Sequence, residues 1–484
     1  MSALTDAVLD ALTGDGPPAL VATAARAHVP RERLAEAILA AAGRVGAAGR
    51  GEHGLVWTGA RDPVLMVTGV LGSLCVSSCA PVEVDDREPE YDAAARPAPP
   101  DAVATDDPGS PLAAWARARG VPVVPLQAEV LFAPGAARPV PPAAAATLLR
   151  FFTSGTTGTP RSIPVHPEQL LAALRGVAGR LGLGPADVSL SLVPLSHVLG
   201  LVTTTLTALL AGGGVAYGDL AQPRLLGQVI AAGRPTWCAA SPSAHRMLLY
   251  AARSLDVDWS SLRFLRTASA PIPPALAADL EEFFGVPLIS AYAMTEAPGE
   301  IASEGFDPAD RRAGSVGRPT MCEVQVRAED LTPLTGAVGE VWIRGPNVLP
   351  SAMAPERDRW FATGDLAVLD GDGFLSLAGR VNDLINLGGI KVSPAEIEAA
   401  VLDLPEVSLA AAFPIPHKTL GQAAGLAVVP APGATIERND LRRVLAERLA
   451  RRKLPATIVI CDRIPTNRRG KIVRRTLHEQ LRVG

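Results

Sequence analysis

The sequence has few cysteines, few lysines and no long basic run before its C-terminal part. Its five cysteines, at positions 75, 79, 238, 322 and 461, form neither a CxxC pair nor a metal-ligand pattern with a nearby histidine. This argues against a disulfide framework and a zinc site, and favours a reduced, cytoplasmic setting. The 45 basic and 49 acidic residues give a net charge of −4, which argues against a nucleic-acid partner.

The sequence also predicts neither a targeting segment nor a membrane-spanning segment. Asp6 and Asp10 interrupt the apolar N-terminal segment, which has no basic start and therefore predicts a short amphipathic helix rather than a secretory signal. The most apolar stretch, 198–217, is broken by Gly200 and by three glycines at 212–214, which favours a buried helix and strand over a membrane span. The 484 residues, 48% of them hydrophobic, predict two or three folded domains.

Hydrophobic periodicity predicts an α/β fold for the N-terminal part. Apolar residues recur at helical spacing over 31–45, and 54–57 is predicted to be a strand. Residues 85–149 are rich in Ala, Pro and Asp, which predicts long loops with a few strands. A strand is expected at 148–153 and a helix at 167–181, followed by further strands and helices to about residue 380.

The segment 379–394 contains the turn Gly388-Gly389 and leads into a predicted helix over 394–402, with Ser393 as its N-cap. We place a domain boundary near Asn382, between an N-terminal domain of residues 1–381 and a C-terminal domain of residues 382–484. The rest of the C-terminal domain is predicted to be a small α+β unit, with strands at 409–413, 425–429 and 457–461 and a helix at 438–451.

A loop rich in Gly, Ser and Thr follows the predicted strand 148–153. Glycines let a backbone approach an anion closely, hydroxyl and N–H groups donate hydrogen bonds to phosphate oxygens, and an arginine supplies charge. An ordinary hydroxyl-rich surface turn is the alternative. The loop is not a Walker A motif, because Pro160 takes the place of the second required glycine. The residues that would bind phosphate are Thr153, Ser154, Gly155, Thr156, Thr157, Gly158 and Arg161.

Three further motifs follow in order: YAMTE at 292–296, TGD at 363–365 with GR at 379–380, and PTNRRGK at 465–471. Together with the loop, they resemble the adenylate-forming superfamily, which includes acyl-CoA synthetases, peptide synthetase adenylation domains and luciferases. AYAMTEA at 291–297 and IRGPNV at 343–348 are most similar to its oxalyl-CoA synthetase-like branch. The resemblance implies a large N-terminal α/β domain of several subdomains and a small, mobile α+β C-terminal lid.

The resemblance implies an enzyme that uses ATP and Mg²⁺ to form an acyl-adenylate and then transfers the acyl group to a thiol, most simply that of CoA. Positioning and charge stabilisation dominate such phosphorus chemistry. The loop 153–161 would hold the β- and γ-phosphates, Thr295 would contact the α-phosphate, and Glu296 would hold Mg²⁺. Taken alone, Glu296 is better explained as a charge at a helix N-terminus.

The other implied roles concern the nucleoside and the reacting carboxylate. Tyr292 would lie against the adenine with Ser269 and Ala270 on its other side. Asp365 would accept the ribose hydroxyls and Arg380 would complete that site. An edge-of-core aromatic, a turn residue and a solvated side chain are the ordinary explanations of Tyr292, Asp365 and Arg380 respectively.

Lys471 would reach the attacking carboxylate and the bridging oxygen. Only four lysines occur among the 45 basic residues, so a lysine retained within the arginine-rich run 468–475 indicates a need for a compact ammonium. A solvated basic tail is the alternative. The C-terminal domain would rotate about Asn382 between the two half-reactions, taking Lys471 out of the site.

The predicted acid pocket has one polar group of interest, His197, as a gate or donor to the acid; a satisfied core histidine is equally compatible. Arg246 and Arg266 would meet an anion only if they point inward, and arginines on such elements are more often solvated. Gly299 and Ala291 stand where diacid-using relatives tend to carry His and Arg. A small or medium monocarboxylic acid is therefore favoured over a polar diacid, with a small oxyanion such as nitrite as a further alternative.

Two other functions remain open at this stage. A stand-alone adenylation enzyme that loads the phosphopantetheine of a carrier protein would need the same motifs. A regulator that binds nucleotide without turnover is disfavoured, because it would need fewer of Glu296, Asp365, Arg380 and Lys471. We expect a small-molecule acid as partner, and no nucleic acid and no membrane span.

Overall fold

The computed structural model describes a chain with four β-sheets. The described residues are 3–13, 19–21, 28–48, 54–133, 135, 148–154, 160–349, 360–402, 404–431, 433–465, 472, 474 and 477–481. Gly155, Thr156, Thr157, Gly158 and Lys471, and the side chain of Ser154, lie outside this description.

A six-stranded sheet with the order β5-β4-β2-β3-β6-β7 forms the first unit. Its strands run parallel except for β7, which is antiparallel to β6. The helix that follows β2 begins where the Asp62 side chain accepts hydrogen bonds from the N–H groups of Val64 and Leu65, with Pro63 in the first turn. The elements are α1 (Ala3–Ala11), α2 (Arg31–Ala48), β2 (Leu55–Gly59), α3 (Pro63–Leu74), β3 (Ser78–Pro81), α4 (Glu88–Ala95), β4 (Ala102–Thr105), α5 (Pro111–Ala118), β5 (Val123–Pro125), α6 (Ala128–Leu131), β6 (Leu149–Ser154) and β7 (Pro160–Val165).

An eight-stranded sheet with the order β1-β9-β8-β10-β11-β12-β13-β14 forms the second unit. Strands β1 to β12 of this order are parallel, whereas β13 and β14 are antiparallel. The elements are β1 (Leu20–Val21), α7 (Pro167–Arg180), β8 (Val188–Ser191), a π-helix (Leu199–Leu206), α8 (Thr207–Leu210), β9 (Gly214–Tyr217), α9 (Pro223–Gly233), β10 (Trp237–Ala240), α10 (Pro242–Ser254), β11 (Phe264–Thr267), α11 (Pro274–Phe284), β12 (Leu288–Met294), β13 (Ala297–Ser303), a 3₁₀ turn (Pro308–Asp310) and β14 (Arg318–Pro319).

An antiparallel five-stranded sheet with the order β16-β15-β17-β18-β19 follows. Its inner face shares one apolar cluster with the β12–β13 hairpin, in which Tyr292 and Ile301 pack with Val341 and Ile343. This packing places the third sheet beside the hairpin. The strands are β15 (Glu323–Arg327), β16 (Pro333–Leu334), β17 (Val338–Arg344), β18 (Phe361–Leu369) and β19 (Leu375–Arg380).

The C-terminal sheet has the order β21-β20-β23-β22, with β24 parallel to β23. Its core consists of residues from α12, α13 and these strands, without members from the other three sheets. The elements are a 3₁₀ turn (Val381–Asp383), β20 (Ile385–Leu387), β21 (Ile390–Val392), α12 (Pro394–Leu402), β22 (Val407–His417), β23 (Gly421–Pro430), α13 (Arg438–Arg448), a second 3₁₀ turn (Arg451–Lys453), β24 (Thr457–Ile460) and α14 (Leu477–Gln480).

Two sequence predictions are wrong in detail. The loop-rich prediction for 85–149 fails over 88–131, where three helices and two strands form, because alanines there pack as small core residues. Ser393 does not cap α12 through its hydroxyl, which instead donates to the carbonyl oxygen of Ala378. No helix within the described ranges is both long enough and apolar enough to span a bilayer.

Candidate active site

The YAMTE motif forms the end of the β12–β13 hairpin. Thr295 and Glu296 occupy its turn and are half-buried, whereas Tyr292 lies on β12 and is 6% exposed. The pairing register of the hairpin shifts between Tyr292 and Met294. Such irregularities redirect side chains near functional sites. The hairpin therefore presents one hydroxyl and one carboxylate at its tip and keeps the aromatic ring in the core.

Tyr292, Asp365 and Arg380 form one hydrogen-bonded cluster. The Tyr292 hydroxyl donates to Oδ2 of Asp365 at 2.6 Å, and Nε of Arg380 donates to Oδ1 at 2.7 Å. Asp365 lies directly opposite Arg380 in the β18–β19 ladder. Burial, together with the neighbouring carboxylate, raises the pKa of Tyr292, so its phenol stays a hydrogen-bond donor. Residues separated by 73 positions in sequence thus meet at one carboxylate.

The electrostatics of Glu296 connect this cluster to the loop after β6. Burial raises the pKa of Glu296, and the positive charges of Arg380 and Arg161 oppose that rise. Arg161 lies on β7, opposite Thr153 on β6. The described residues of the first three motifs therefore converge on one region. The glycines and threonines between Thr153 and Arg161 lie outside the described residues.

The segment after β11 lies at the carboxyl end of a parallel strand. Ser269 and Ala270 are exposed there, and Ser269 has a φ of 75°, a left-handed conformation that is uncommon for a residue other than glycine. Strained backbone of this kind concentrates at functional sites, and ligands bind outside the carboxyl ends of parallel strands. Strand β11 pairs directly with β12, so this segment and the hairpin are neighbours.

His197 is half-buried and precedes a π-helix. Its carbonyl oxygen accepts a hydrogen bond from Leu201, and the eight residues Leu199–Leu206 follow with π-type winding, which is frequent at functional sites. A Cβ on Gly200 would lie 2.3 Å from the carbonyl oxygen of Pro194, so only glycine fits this close approach. The backbone around His197 is therefore tightly constrained.

The two arginines considered as anion contacts, Arg246 and Arg266, lie in different surroundings. Arg246 is half-buried in a cleft between α10 and α11 and the C-terminal domain, where Leu404 and Ser408 form the opposite wall. Arg266 is 1% exposed and its Nη2 lies 2.9 Å from Oε2 of Glu300, which is fully buried. The expectation of a solvated Arg266 is wrong, because Glu300 on β13 compensates its charge inside the protein.

Sequence reasoning missed Glu300. A glutamate in the middle of the otherwise uncharged strand APGEIAS is the signal that was available. Every residue of that strand is buried. A buried carboxylate requires a partner, but the sequence does not say which of the many arginines supplies it.

Beneath this pair, His245 on α10 is fully buried, and its Nε2 lies 2.8 Å from the carbonyl oxygen of Arg266. Burial lowers the pKa of His245 from 6.5 to about 4. In the unfolded chain the imidazole binds a proton below about pH 6.5, whereas in the folded protein it stays neutral until about pH 4. Stability is therefore lost as the pH falls through this window.

We expect this histidine to remove roughly 3 kcal/mol of stability across that window. The His245→Gln variant keeps an N–H donor but has no titrating ring, so the pH dependence of its unfolding free energy is expected to be flatter. Urea unfolding at several pH values measures this, with His28→Gln at an exposed position as the control. Parallel curves for wild type and His245→Gln would contradict the assignment.

Among the residues that the structure describes, the acidic side chains form no multi-carboxylate metal cage. Within the described ranges, no group of three His, Cys, Asp or Glu side chains is arranged to hold a metal ion. Glu296 alone offers a carboxylate at the hairpin tip, which fits a Mg²⁺ ion held by one protein ligand together with phosphate oxygens and water. The residues present therefore fit Mg²⁺ as a companion of a nucleotide.

The chain is similar to known proteins both in sequence and in structure. The sequence model of the AMP-binding enzyme family matches residues 62–351, and that of the AMP-binding enzyme C-terminal domain matches residues 396–471. The oxalate–CoA ligase of Arabidopsis thaliana is 35% identical in an alignment 349 positions long, which covers 67% of this chain and 65% of that protein. The sulfoacetate–CoA ligase of Cupriavidus necator is 34% identical, over 70% of this chain and 68% of that protein.

Among solved structures, ATP-bound MatB from Rhodopseudomonas palustris is 25% identical. It superposes with a TM-score of 0.86 and covers 99% of both chains. The sequence match to the Arabidopsis protein spans a little under two thirds of that relative's length, 65%.

Proposed function

The chain belongs to the AMP-binding enzyme family and has the adenylate-forming fold, and from that premise we propose that it is an ATP- and Mg²⁺-dependent acid–CoA ligase. A carboxylic acid attacks the α-phosphorus of ATP, pyrophosphate leaves, and the acyl-adenylate is captured by the thiol of CoA with release of AMP. Relatives named as oxalate– and sulfoacetate–CoA ligases support the acid–thiol chemistry.

The observation that carries the proposal is the cluster centred on Asp365. Its carboxylate already accepts one bond from Tyr292 and one from Arg380. An ionised carboxylate has about four acceptor positions, so two ribose hydroxyls can still bind to it. Tyr292 would then lie against the adenine with Ser269 and Ala270 on the other side, and Arg380 would orient the carboxylate. This assigns the nucleoside to the carboxyl end of β11 and β12.

The phosphates would extend from this nucleoside towards β6 and β7. Thr295 at the hairpin tip would donate to the α-phosphate. Thr153, Ser154, Gly155, Thr156, Thr157, Gly158 and Arg161 would hold the β- and γ-phosphates. Arg161 supports this direction, because its charge acts on Glu296 and therefore lies within electrostatic reach of the hairpin tip.

Glu296 would bind Mg²⁺, which supplies charge neutralisation at the phosphates when bound. We expect Glu296→Gln to raise the Mg²⁺ concentration for half-maximal activity on the order of 10–100-fold, the range observed for weakened metal sites. Burial raises the pKa of Glu296 above its ordinary 4.5. The wild type should therefore lose Mg²⁺ affinity at a higher pH than an exposed glutamate would, as acidification protonates the carboxyl.

Mg²⁺ titrations of the reaction rate at several pH values measure both effects. Glu282→Gln, at an exposed position on α11, is the control and should match the wild type. An unchanged Mg²⁺ requirement in Glu296→Gln would remove Glu296 from the metal site.

The second half-reaction would use a rotation of the C-terminal domain. We propose the boundary between residues 381 and 382, where the 3₁₀ turn Val381–Asp383 joins the third sheet to the fourth. Asn382 is the hinge residue of this proposal. Lys471 would contact the reacting carboxylate during adenylation and leave after rotation, while the Gly388-Gly389 turn between β20 and β21 would face the thiol.

The acid would enter beside His197, which would act as a gate or donate to the acid carboxylate. The tight backbone around Gly200 supports this role, because it fixes the position of the histidine. CoA is proposed as acceptor in preference to a carrier protein, since the named ligases among the relatives use CoA.

The test is pyrophosphate exchange into ATP with a panel of short, aromatic and dicarboxylic acids, followed by AMP release with increasing CoA. Acid-dependent exchange and saturation by free CoA are expected. Exchange without CoA-dependent AMP release would favour a carrier-protein acceptor over the proposal.

A further inference from the structure

The Arg266–Glu300 pair is the most deeply buried ion pair that the structure describes. The exposed fractions of the two side chains are 1% and 0%, and Nη2 of Arg266 lies 2.9 Å from Oε2 of Glu300. The amide of Asn347 donates to the carbonyl oxygens of Pro298 and Glu300, both at 3.0 Å, and so fixes the strand that carries the glutamate. The pair is held in place by backbone as well as by charge.

The pair keeps hydrogen-bonding capacity that no described residue uses. Nε and Nη1 of Arg266 and Oε1 of Glu300 are buried and have no hydrogen-bond partner among the described residues. Buried polar atoms are usually satisfied in native proteins, by water or by a bound molecule where the protein supplies no partner. The pair therefore retains two donors and one acceptor, which a group that both accepts and donates can satisfy.

The pair lies on the two strands that flank β12, which carries Tyr292 of the proposed nucleotide site. Arg266 is the third residue of β11, three positions before Ser269, and Glu300 follows Glu296 by four positions on the hairpin. Strand β11 pairs with β12, whose position 291 carries only a small buried alanine next to Tyr292. The unpartnered atoms thus belong to the same sheet end as the proposed nucleotide site.

Building on the proposed ligase function, we propose that Glu300 determines acid specificity: by neutralising Arg266 it makes the pocket reject a second acidic group and accept acids with a neutral hydrogen-bonding tail. A tail hydroxyl would accept from Arg266 and donate to Oε1 of Glu300. A second carboxylate would accept from Arg266 but face the negative charge of Glu300, and like charges in contact are strongly unfavourable. An ammonium would face Arg266 instead.

The experiment measures pyrophosphate exchange by the full-length protein with pairs of acids of equal length: glycolate and oxalate, 3-hydroxypropanoate and malonate, 4-hydroxybutanoate and succinate. The wild type is expected to use the hydroxy acid of its best pair about 100-fold more efficiently in kcat/KM than the diacid. In Glu300→Gln the Arg266 charge is no longer compensated. This ratio should fall at least about 10-fold, through gain of activity on the diacid.

Glu304→Gln is the matched control, because Glu304 is also buried, at 6% exposed, near the end of the same hairpin, where it accepts from the backbone N–H of Ser290. Its ratio should equal that of the wild type. A double variant, Arg266→Met with Glu300→Leu, removes both charges and should not gain diacid activity. Gain of diacid activity in the double variant would show that Arg266 is not the group responsible.

A second readout does not depend on turnover. Malonate should raise the melting temperature of Glu300→Gln more than that of the wild type, because Arg266 is no longer neutralised and attracts the anion. If no acid supports exchange, the ligase proposal fails, and this binding measurement still decides whether Glu300 excludes anions. A wild type that prefers the diacid, or a Glu300→Gln variant with unchanged ratio and unchanged malonate stabilisation, overturns the inference. Should Glu300→Gln not fold, the wild-type ratio alone decides.

Discussion

Replacing Asp365 by Ala is expected to lower kcat/KM for ATP on the order of 10³-fold. Loss of one preorganised electrostatic contact costs about 10²–10³ in rate, and this change removes the proposed acceptor for the ribose together with the partner of Tyr292 and Arg380. Tyr292 and Arg380 each lose a charge-assisted bond, of 2.6 and 2.7 Å. The variant should therefore no longer hold either the adenine or the ribose in place.

Steady-state kinetics with ATP as the varied substrate measures this effect. Asp372→Ala is the control, since Asp372 also pairs with an arginine of the same region but is 69% exposed at the β18–β19 turn. It should stay within about twofold of the wild type, because exposed ion pairs contribute little. A folded Asp365→Ala variant with activity similar to that of the control would contradict the assignment of the nucleoside site.

Replacing Lys471 by Ala is expected to reduce adenylation by about 10²–10³-fold while leaving ATP affinity within roughly threefold. The ammonium is proposed to act on charge that shifts between the attacking carboxylate and the bridging oxygen, so it matters in the transition state more than in the ground state. Lys471→Arg should also fail, because a planar guanidinium does not replace a compact ammonium.

Pyrophosphate exchange measures the rate, and equilibrium dialysis with ATP measures the affinity. Lys418→Ala, at an exposed position in the β22–β23 connection, is the control. Equal loss of ATP binding and exchange in Lys471→Ala would show that the lysine binds nucleotide and does not assist chemistry. Normal conversion of preformed acyl-adenylate and CoA to thioester in Lys471→Ala is the further expected result.

The sequence alone predicted those helices and strands that have strong hydrophobic periodicity or are bounded by clear turn residues. Helix α12 spans Pro394–Leu402 as predicted from the turn at Gly388-Gly389 and the apolar spacing beyond it. The strands β22, β23 and β24 also form around their predicted centres, with bounds that differ by a few residues. The prediction of loops is wrong over 88–131, where helices and strands form. Alanine is common in loops but also packs as a small residue in the core, so its abundance does not distinguish the two.

Many residues of the candidate site could be named from the sequence, because each motif combines residue types that suit a particular chemical role. The bond between Tyr292 and Asp365 was not, because it depends on how the third sheet packs against the hairpin. The same holds for Arg266 and Glu300, which pair between strands that are not neighbours in sequence. Side-chain contacts between distant elements arise from tertiary packing, and the left-handed backbone at Ser269 is likewise a property of the folded chain.

These features suggest how specificity and chemistry are divided within one sheet end. Asp365 and the residues around it are proposed to bind the nucleotide, which the reaction uses with every acid. Arg266 and Glu300 are more deeply buried, and we propose that their compensated charge selects among acids. Changes at Asp365 should thus lower activity with all acids, whereas changes at Glu300 should alter their order.

The proposed ligase activity is tested most directly by measuring AMP and acyl-CoA thioester together in reactions of ATP, Mg²⁺ and CoA with a panel of carboxylic acids. We expect AMP and thioester in equal amounts, only when an acid is present, and most efficiently with a monocarboxylic acid that has a neutral polar tail. Absence of AMP with every acid, or AMP release that is independent of acid, would contradict this proposal.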